Sequence, residues 1–312
     1  MLNRRRFITQ SALATGALLV GPAMAKAAHL DDAPKRLTIL HTNDVHSRID
    51  PFPMDGGRNQ GLGGVAQRAS LIRRIRAEQD NVLLLDAGDI FQGTPYFNIY
   101  KGEPEIKAMT AMGYDASTVG NHDFDAGLED LALQLGRHAS FPMITCNYDF
   151  TNTPMEHLYQ PTKIFRKGGL KIGVLGVGVE LEGLVPDNLA GNTKYLDPVQ
   201  QANRYAAELK HAGCDLVVCL SHLGYKYSSS NKISDLTFAP QTENIDLIIG
   251  GHTHTFMEKP DVLKNKKGEE VIINQVGWAG IQLGRLDFVF NKNRRKNLAV
   301  SQSIPVSEKT DN

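Results

Sequence analysis

The chain has 312 residues, 41% of them hydrophobic and 22% charged, with 34 Lys and Arg balanced by 34 Asp and Glu. This length and composition exclude a disordered chain and suit a globular protein with one large α/β domain or two small ones. With no basic excess, nucleic acid is not an expected partner.

The first 25 residues read as an address outside the fold. Asn3-Arg4-Arg5-Arg6-Phe7-Ile8-Thr9 matches a twin-arginine signal. The apolar stretch Ala12–Val20 falls short of the ~20 residues that span a bilayer. Ala23-Met24-Ala25 then offers a small-x-small cleavage site. The expectation is export by the twin-arginine machinery, which carries folded proteins, to the periplasm or beyond. Residues 26–312 are expected to form one soluble domain, because no later run is long enough to span and neither linker nor repeat interrupts it.

Leu37–His41 reads as the first strand. Gly63–Gln79 reads as a helix, with Val65, Ala69, Ile72 and Ile75 at helical spacing. The buried strand Asn81–Leu85 follows, then a helix over Glu103–Met112 and a short strand, Ala116–Val119. Leu128, Leu131, Ala132 and Leu135 mark a third helix, and Pro142–Cys146 another strand. Gly168-Gly169 is a hairpin signal between Lys163–Phe165 and Lys171–Gly176. Asp197-Pro198 supplies an N-cap and a first-turn proline for a helix reaching about His211. Asp215–Leu220 runs into His222 and Ile245–Ile249 toward His252. Val271–Val276, Gln282–Phe290 and Leu298–Ile304 close the chain as strands. Strands alternating with helices, then strands alone, predict two sheets packed face to face with helices outside.

Five short motifs follow apolar runs, the place where α/β sheets collect their sites. They are Asp44-Val45-His46, Gly88-Asp89, Gly120-Asn121-His122-Asp123, His222 in Ser-His-Leu-Gly, and Gly251-His252-Thr253-His254. Two carboxylates (Asp44, Asp89), the Asn121 amide and four imidazoles (His46, His222, His252, His254) make a donor set suited to two divalent ions such as Zn, Mn, Fe or Co. Taken singly, Asp44 or Asn121 reads as a turn residue and His222 as a packed histidine; their order is what points to metal.

The same phrases resemble the calcineurin-like metallophosphoesterases, and within them the 5′-nucleotidases. Ile39-Leu40-His41-Thr42-Asn43-Asp44-Val45-His46-Ser47, Asp86-Ala87-Gly88-Asp89, Gly120-Asn121-His122-Asp123-Phe124-Asp125 and Gly250-Gly251-His252-Thr253-His254 carry the likeness, which extends from about Leu37 to about Phe290. It implies a four-layer αββα sandwich and hydrolysis of phosphate esters such as nucleotides. It implies one ion on Asp44, His46, Asp89 and His254, a second on Asp89, Asn121, His222 and His252, and Asp89 as the bridge. It also implies a catalytic dyad, His122 with Asp125; Asp125 also suits an N-cap for the third helix, and both roles could hold at once. Relatives acting on cyclic phosphodiesters, sugar nucleotides or thiosulfate esters remain alternatives, as does a subunit that has lost catalysis. 5′-Nucleotidases of this family usually carry a C-terminal nucleotide-binding domain. This sequence ends at Asn312, so a separately encoded nucleotide-binding chain is an expected partner.

The remaining features have quieter readings. His41 belongs to the core or supports the site; His29, His138, His157 and His211 look like surface positions. Gln92-Gly93-Thr94-Pro95 walls the site, and Trp278 packs or touches substrate. Lys292–Lys296 is a solvated turn. Cys146, Cys214 and Cys219 read as buried thiols, with Cys214 and Cys219 near enough in sequence to pair.

Overall fold

The computed structural model describes residues 33–228 and 232–308. The twin-arginine segment and His29 lie outside the described residues. Among those described, no helix is long and apolar enough to cross a membrane.

The strands are β1 (Lys35–Thr42), β2 (Val82–Asp86), β3 (Ala116–Ser117), β4 (Met143–Ile144), β5 (Tyr148–Asp149), β6 (Tyr159–Gln160), β7 (Thr162–Lys167) and β8 (Leu170–Gly178). They continue with β9 (Lys194–Tyr195), β10 (Leu216–His222), β11 (Leu247–Gly250), β12 (Asp261–Lys264), β13 (Glu270–Asn274), β14 (Gln282–Phe290) and β15 (Lys296–Pro305). One mixed sheet has the order β15-β14-β1-β2-β3-β4-β6 and the other β12-β13-β11-β10-β8-β7, while β5 and β9 form a small pair. The main helices are α1 (Val65–Glu78), α2 (Glu103–Met112), α3 (Leu128–His138) and α4 (Pro198–His211).

Strand alternation sorts side chains into three cores. Leu37 and Ile39 of β1 join Val174 and Ile249 in the core between the sheets, whereas Leu40 faces α1–α3 on the outer side. On β10, Leu216, Val218 and Leu220 point between the sheets, and Val217 and Cys219 point out toward Ala202, Ala206 and Leu209 of α4. Helix, sheet, sheet, helix is the expected αββα order.

The differences from expectation are local. Helix α1 begins at Val65, two residues late, because Gly63 and Gly64 take φ of 80° and 87°, values open to glycine and closed to a helix. The strand expected over Pro142–Cys146 shortens to β4 because the chain leaves its sheet there: Thr145 N still bonds Gln160 O, but Cys146 N bonds Gly176 O of the other sheet. Helix α3 is capped by Gly127, not by Asp125. Helix α4 starts as read, with Asp197 accepting from Gln200 N at 2.9 Å. Cys146, Cys214 and Cys219 are all free and buried. In the basic turn between β14 and β15, Arg294 reaches Asp215 and Lys296 reaches Asp246, each at 2.6 Å, so two of its charges are tied to the second sheet. His157 and His211 are exposed and His138 is half-buried.

Candidate metal centre

The loops that leave the C-terminal ends of β1, β2, β3, β10 and β11 converge where the two sheets meet. The first two lie side by side: Asp44 N bonds Gly88 O (2.9 Å), His46 N bonds Asp89 O (3.1 Å) and Ser47 N bonds Ile90 O (2.8 Å). The loop after β3 is equally close, since a Cβ on Gly120 would lie 2.2 Å from Asp89 Oδ1. Only glycine allows that approach. His252 N donates to both oxygens of Asp44, at 2.9 and 3.0 Å, and thereby joins the second sheet to the first. Five of the residues assembled here have left-handed backbones: Asp44 (φ 50°), His46 (50°), Asp89 (56°), His252 (71°) and His254 (53°). Such conformations cost about 1–3 kcal/mol each and gather at functional sites.

All seven residues anticipated as ligands come together. Ligand atoms of Asp44, His46 and His254 lie within 4.8 Å of one another, and so do those of Asp89, His222 and His252. His46 Nε2 is 2.9 Å from His254 Nε2, and His254 Nε2 is 3.5 Å from Asp44 Oδ1. His222 Nε2 is 3.0 Å from Asp89 Oδ2 and 3.9 Å from Asp44 Oδ1. Asp89 Oδ2 also lies 3.8 Å from His46 Nε2, so one carboxylate faces both clusters. Asn121 Oδ1 meets His252 Nδ1 at 2.7 Å. On their far sides, His222 Nδ1 contacts Ala87 O (2.6 Å) and His46 Nδ1 contacts Phe91 O (3.2 Å). These carbonyls fix each ring with Nε2 turned to the centre, the outer support that metal-binding imidazoles use.

Burial dominates the electrostatics. It pushes Asp44 up to about 8, with the Asp89 charge adding to the effect and His222 opposing it. Burial also lowers His46, and takes His252 down to about 3 and His254 down to about 4. At Asp89 burial is outweighed: the charge of His222, 3.0 Å away, with that of His46, holds its carboxyl well below the usual range. Reciprocally, Asp89 holds His222 up to about 10 against its own burial.

Two observations test whether a cation pair fits. His222 Nε2, fully buried, has no hydrogen bond of good geometry to any described residue. Its proton does for Asp89 what a cation would do, while the other three imidazoles, held low by burial, present lone pairs, and the His222 charge does not offset the burial that keeps Asp44 raised. Neutral His and ionised Asp are the forms that bind metal, and this donor set fits two divalent ions.

Beside the clusters, His122 Nδ1 meets Asp125 Oδ2 at 2.8 Å, and His122 N donates to Asp89 Oδ1 at 2.8 Å. The hydrogen bond to Asp125 raises the His122 pKa above its ordinary value. The His122 side chain is 38% exposed, open to an incoming molecule. Trp278 stacks on the His254 ring, with centroids 5.8 Å apart and planes 10° apart, and meets Phe52 edge-on. Its packing is against a candidate ligand. His41 is buried between the sheets and bonded to Asn274 Nδ2 at 2.8 Å. Thr94 Oγ1 donates to Ser47 O at 2.9 Å, which places the Gln92–Pro95 segment against the first loop.

Sequence reasoning missed Asp123. This buried carboxylate accepts four backbone N–H groups, from Gly120 (2.8 Å), Asp89 (3.1 Å), Ile90 (2.9 Å) and Phe91 (3.2 Å). It clamps the Asp89 loop to the Asn121 loop. Asn43 does likewise: its amide donates to Gly277 O (2.6 Å) and accepts from Val276 N (3.0 Å). Their only signal was a place inside the motif phrases, which gave them no role of their own.

Residues 37–256 match the family described as calcineurin-like phosphoesterase. The chain is 34% identical over 289 residues to a snake venom 5′-nucleotidase from Gloydius brevicauda, covering 86% of this chain and 47% of that protein. It superposes on a 5′-nucleotidase precursor from Thermus thermophilus with a TM-score of 0.78 at 30% identity, covering 88% of this chain and 55% of that one. Against the NAD nucleotidase of Haemophilus influenzae the TM-score is 0.76 at 26% identity, covering 88% and 51%. The chain thus spans about half the length of the curated relatives it matches.

Proposed function

The chain belongs to the calcineurin-like phosphoesterases, and from that premise we propose that it is a 5′-nucleotidase-like phosphohydrolase, working with two divalent ions on phosphomonoesters. The supporting observation is the pair of His/Asp clusters with Asp89 facing both, set beside the His122–Asp125 pair. Asp44, His46 and His254 would hold one ion; Asn121, His222 and His252 would hold the other; Asp89 would reach both. When bound, such a pair offsets the charge of the phosphoryl oxygens and makes water a competent nucleophile at neutral pH.

The chain's own groups do the rest. The Phe91 and Ala87 carbonyls keep the His46 and His222 rings aimed inward. Asp123 holds the Asp89 and Asn121 loops at a fixed separation. Asp125 accepts from His122 Nδ1–H, leaving Nε2 to carry the proton that the departing alkoxide needs, and its negative charge favours the protonated ring.

The test is a panel on metal-loaded protein: nucleoside mono- and diphosphates, cyclic nucleotides, sugar phosphates and bis-p-nitrophenyl phosphate. Turnover of the monoesters is expected; turnover confined to the diesters would refute the assignment. Export through the twin-arginine route is part of the same reading, resting on Arg4-Arg5 in its motif. Arg4→Lys with Arg5→Lys should retain the protein in the cytoplasm, and normal export of that variant would count against it.

A further inference from the structure

The imidazoles of the centre are not steadied alike. His46 and His222 have carbonyls behind them, Phe91 O and Ala87 O. His254 has no such support. Its side chain is 39% exposed, and no hydrogen bond from a described residue reaches its Nδ1. Its polar contacts, to His46 at 2.9 Å and Asp44 at 3.5 Å, are made by Nε2. The terminal torsion of a histidine has broad wells, so the surroundings must set the plane of its ring.

What lies flat against that ring is Trp278, with planes 10° apart and centroids 5.8 Å apart, an offset stack. The indole is itself held on both sides. Gly277 N donates to Thr255 O at 2.9 Å, next to His254, and Ala279 N donates to Asp44 O at 2.7 Å. The loop that carries Trp278 is thus bonded to two segments of the same cluster. Phe52 meets the indole edge-on at 5.9 Å between centroids, and the Arg48 guanidinium lies 4.0 Å from the Phe52 centroid, within the range of a cation–π contact. Arg48, Phe52, Trp278 and His254 form one column that ends on a candidate ligand.

We propose that Trp278 is a positioning residue for the ion of Asp44, His46 and His254. By fixing the plane of the His254 ring it aims the Nε2 lone pair, which lies in that plane, at the point shared with the other two. The proposal rests on the metal reading above. It gives the stack the task that carbonyls perform for His46 and His222. Losing the outer support of a metal-binding imidazole costs roughly ten- to a hundredfold in affinity. An aromatic pair is weaker than such hydrogen bonds, and the loss here should be about two- to tenfold. It should fall on one ion alone, because Trp278 stacks on no member of the Asp89, His222 and His252 cluster.

The experiment uses the full chain, stripped of metal and titrated with Zn²⁺ against a chromophoric chelator. The wild type should take up two ions. Trp278→Leu keeps apolar bulk and removes the ring; it should weaken one ion about two- to tenfold and leave the other unchanged. Trp278→Phe keeps a ring and should restore most of the loss. Melting curves in chelator check that both variants fold. No loss, a loss shared by both ions, or equal losses in the Leu and Phe variants would overturn the proposal. Trp278 is the chain's single tryptophan, which supplies a second measurement should the Leu variant not fold. Co²⁺, whose unpaired electrons quench a nearby indole, should quench wild-type fluorescence in step with one of the two ions. Quenching that is absent, or that follows both ions equally, also overturns the proposal. A chain that takes up no ion refutes the metal reading and the proposal with it, whereas two ions indifferent to the ring at position 278 refute the proposal alone.

Discussion

His41 makes the fold sensitive to acid, by an amount that can be worked out. The ring is fully buried between the sheets, bonded through Nε2 to Asn274, while Nδ1 has no partner among the described residues. Burial takes its pKa from 6.5 down to about 3. The unfolded chain therefore binds a proton that the folded chain refuses. The contribution is intact above pH ~6.5 and is lost progressively as the pH falls toward 3. Between pH 8 and pH 5 the loss amounts to about 2 kcal/mol, a large part of a typical domain's stability. His41→Gln keeps an acceptor for the Asn274 amide and removes the titration. Urea denaturation of wild type and variant at pH 8 and pH 5, both with chelator so that metal binding drops out, measures the difference. The wild type should lose about 2 kcal/mol more than His41→Gln over that range. Equal losses would refute the argument, whatever the absolute stability of the variant.

Other expectations concern the site. Elemental analysis should find close to two divalent ions per chain, chelation should abolish activity, and Asp89→Asn should deplete both ions because that carboxylate faces both clusters. His122→Ala should lower kcat by roughly 10²–10⁴-fold with metal content unchanged, whereas near-normal kcat would remove His122 from the chemistry. Because the Asp125 hydrogen bond raises the His122 pKa, the acid form persists to higher pH; Asp125→Asn should shift the alkaline limb of the kcat profile to lower pH. Asp123→Asn leaves two of four backbone donors facing an amide NH₂. At about 1–3 kcal/mol per unsatisfied donor, chemical denaturation should show a clear loss of stability, and unchanged stability would show that the clamp does not matter.

The seven candidate ligands and the dyad were legible because side chains that must meet a small ligand set leave a fixed spelling at strand ends. The layers were legible because β1 and β10 carry apolar residues on both faces, as a strand buried between a sheet and a helix layer must. What escaped was support. Asp123 stands in a motif without a role of its own; nothing local shows that it collects amides from a loop more than thirty positions away. Asp125 also suited a helix cap, but Gly127 at φ 87° opens the helix, and Asp125 meets His122 alone. The early end of β4 was invisible because it depends on Cys146 bonding across to β8, a contact between sheets with no periodicity to announce it.

The left-handed backbones at the site set evolution and engineering against each other. His254 sits at φ 53° with its side chain 39% exposed. Glycine would relieve about 1–2 kcal/mol of steric conflict there, offset by its greater freedom in the unfolded chain. A selection for thermal tolerance that never asks the protein to turn over a substrate would thus favour losing this imidazole, by a small margin. Only continued demand for the reaction keeps this residue in a conformation that the backbone alone would abandon.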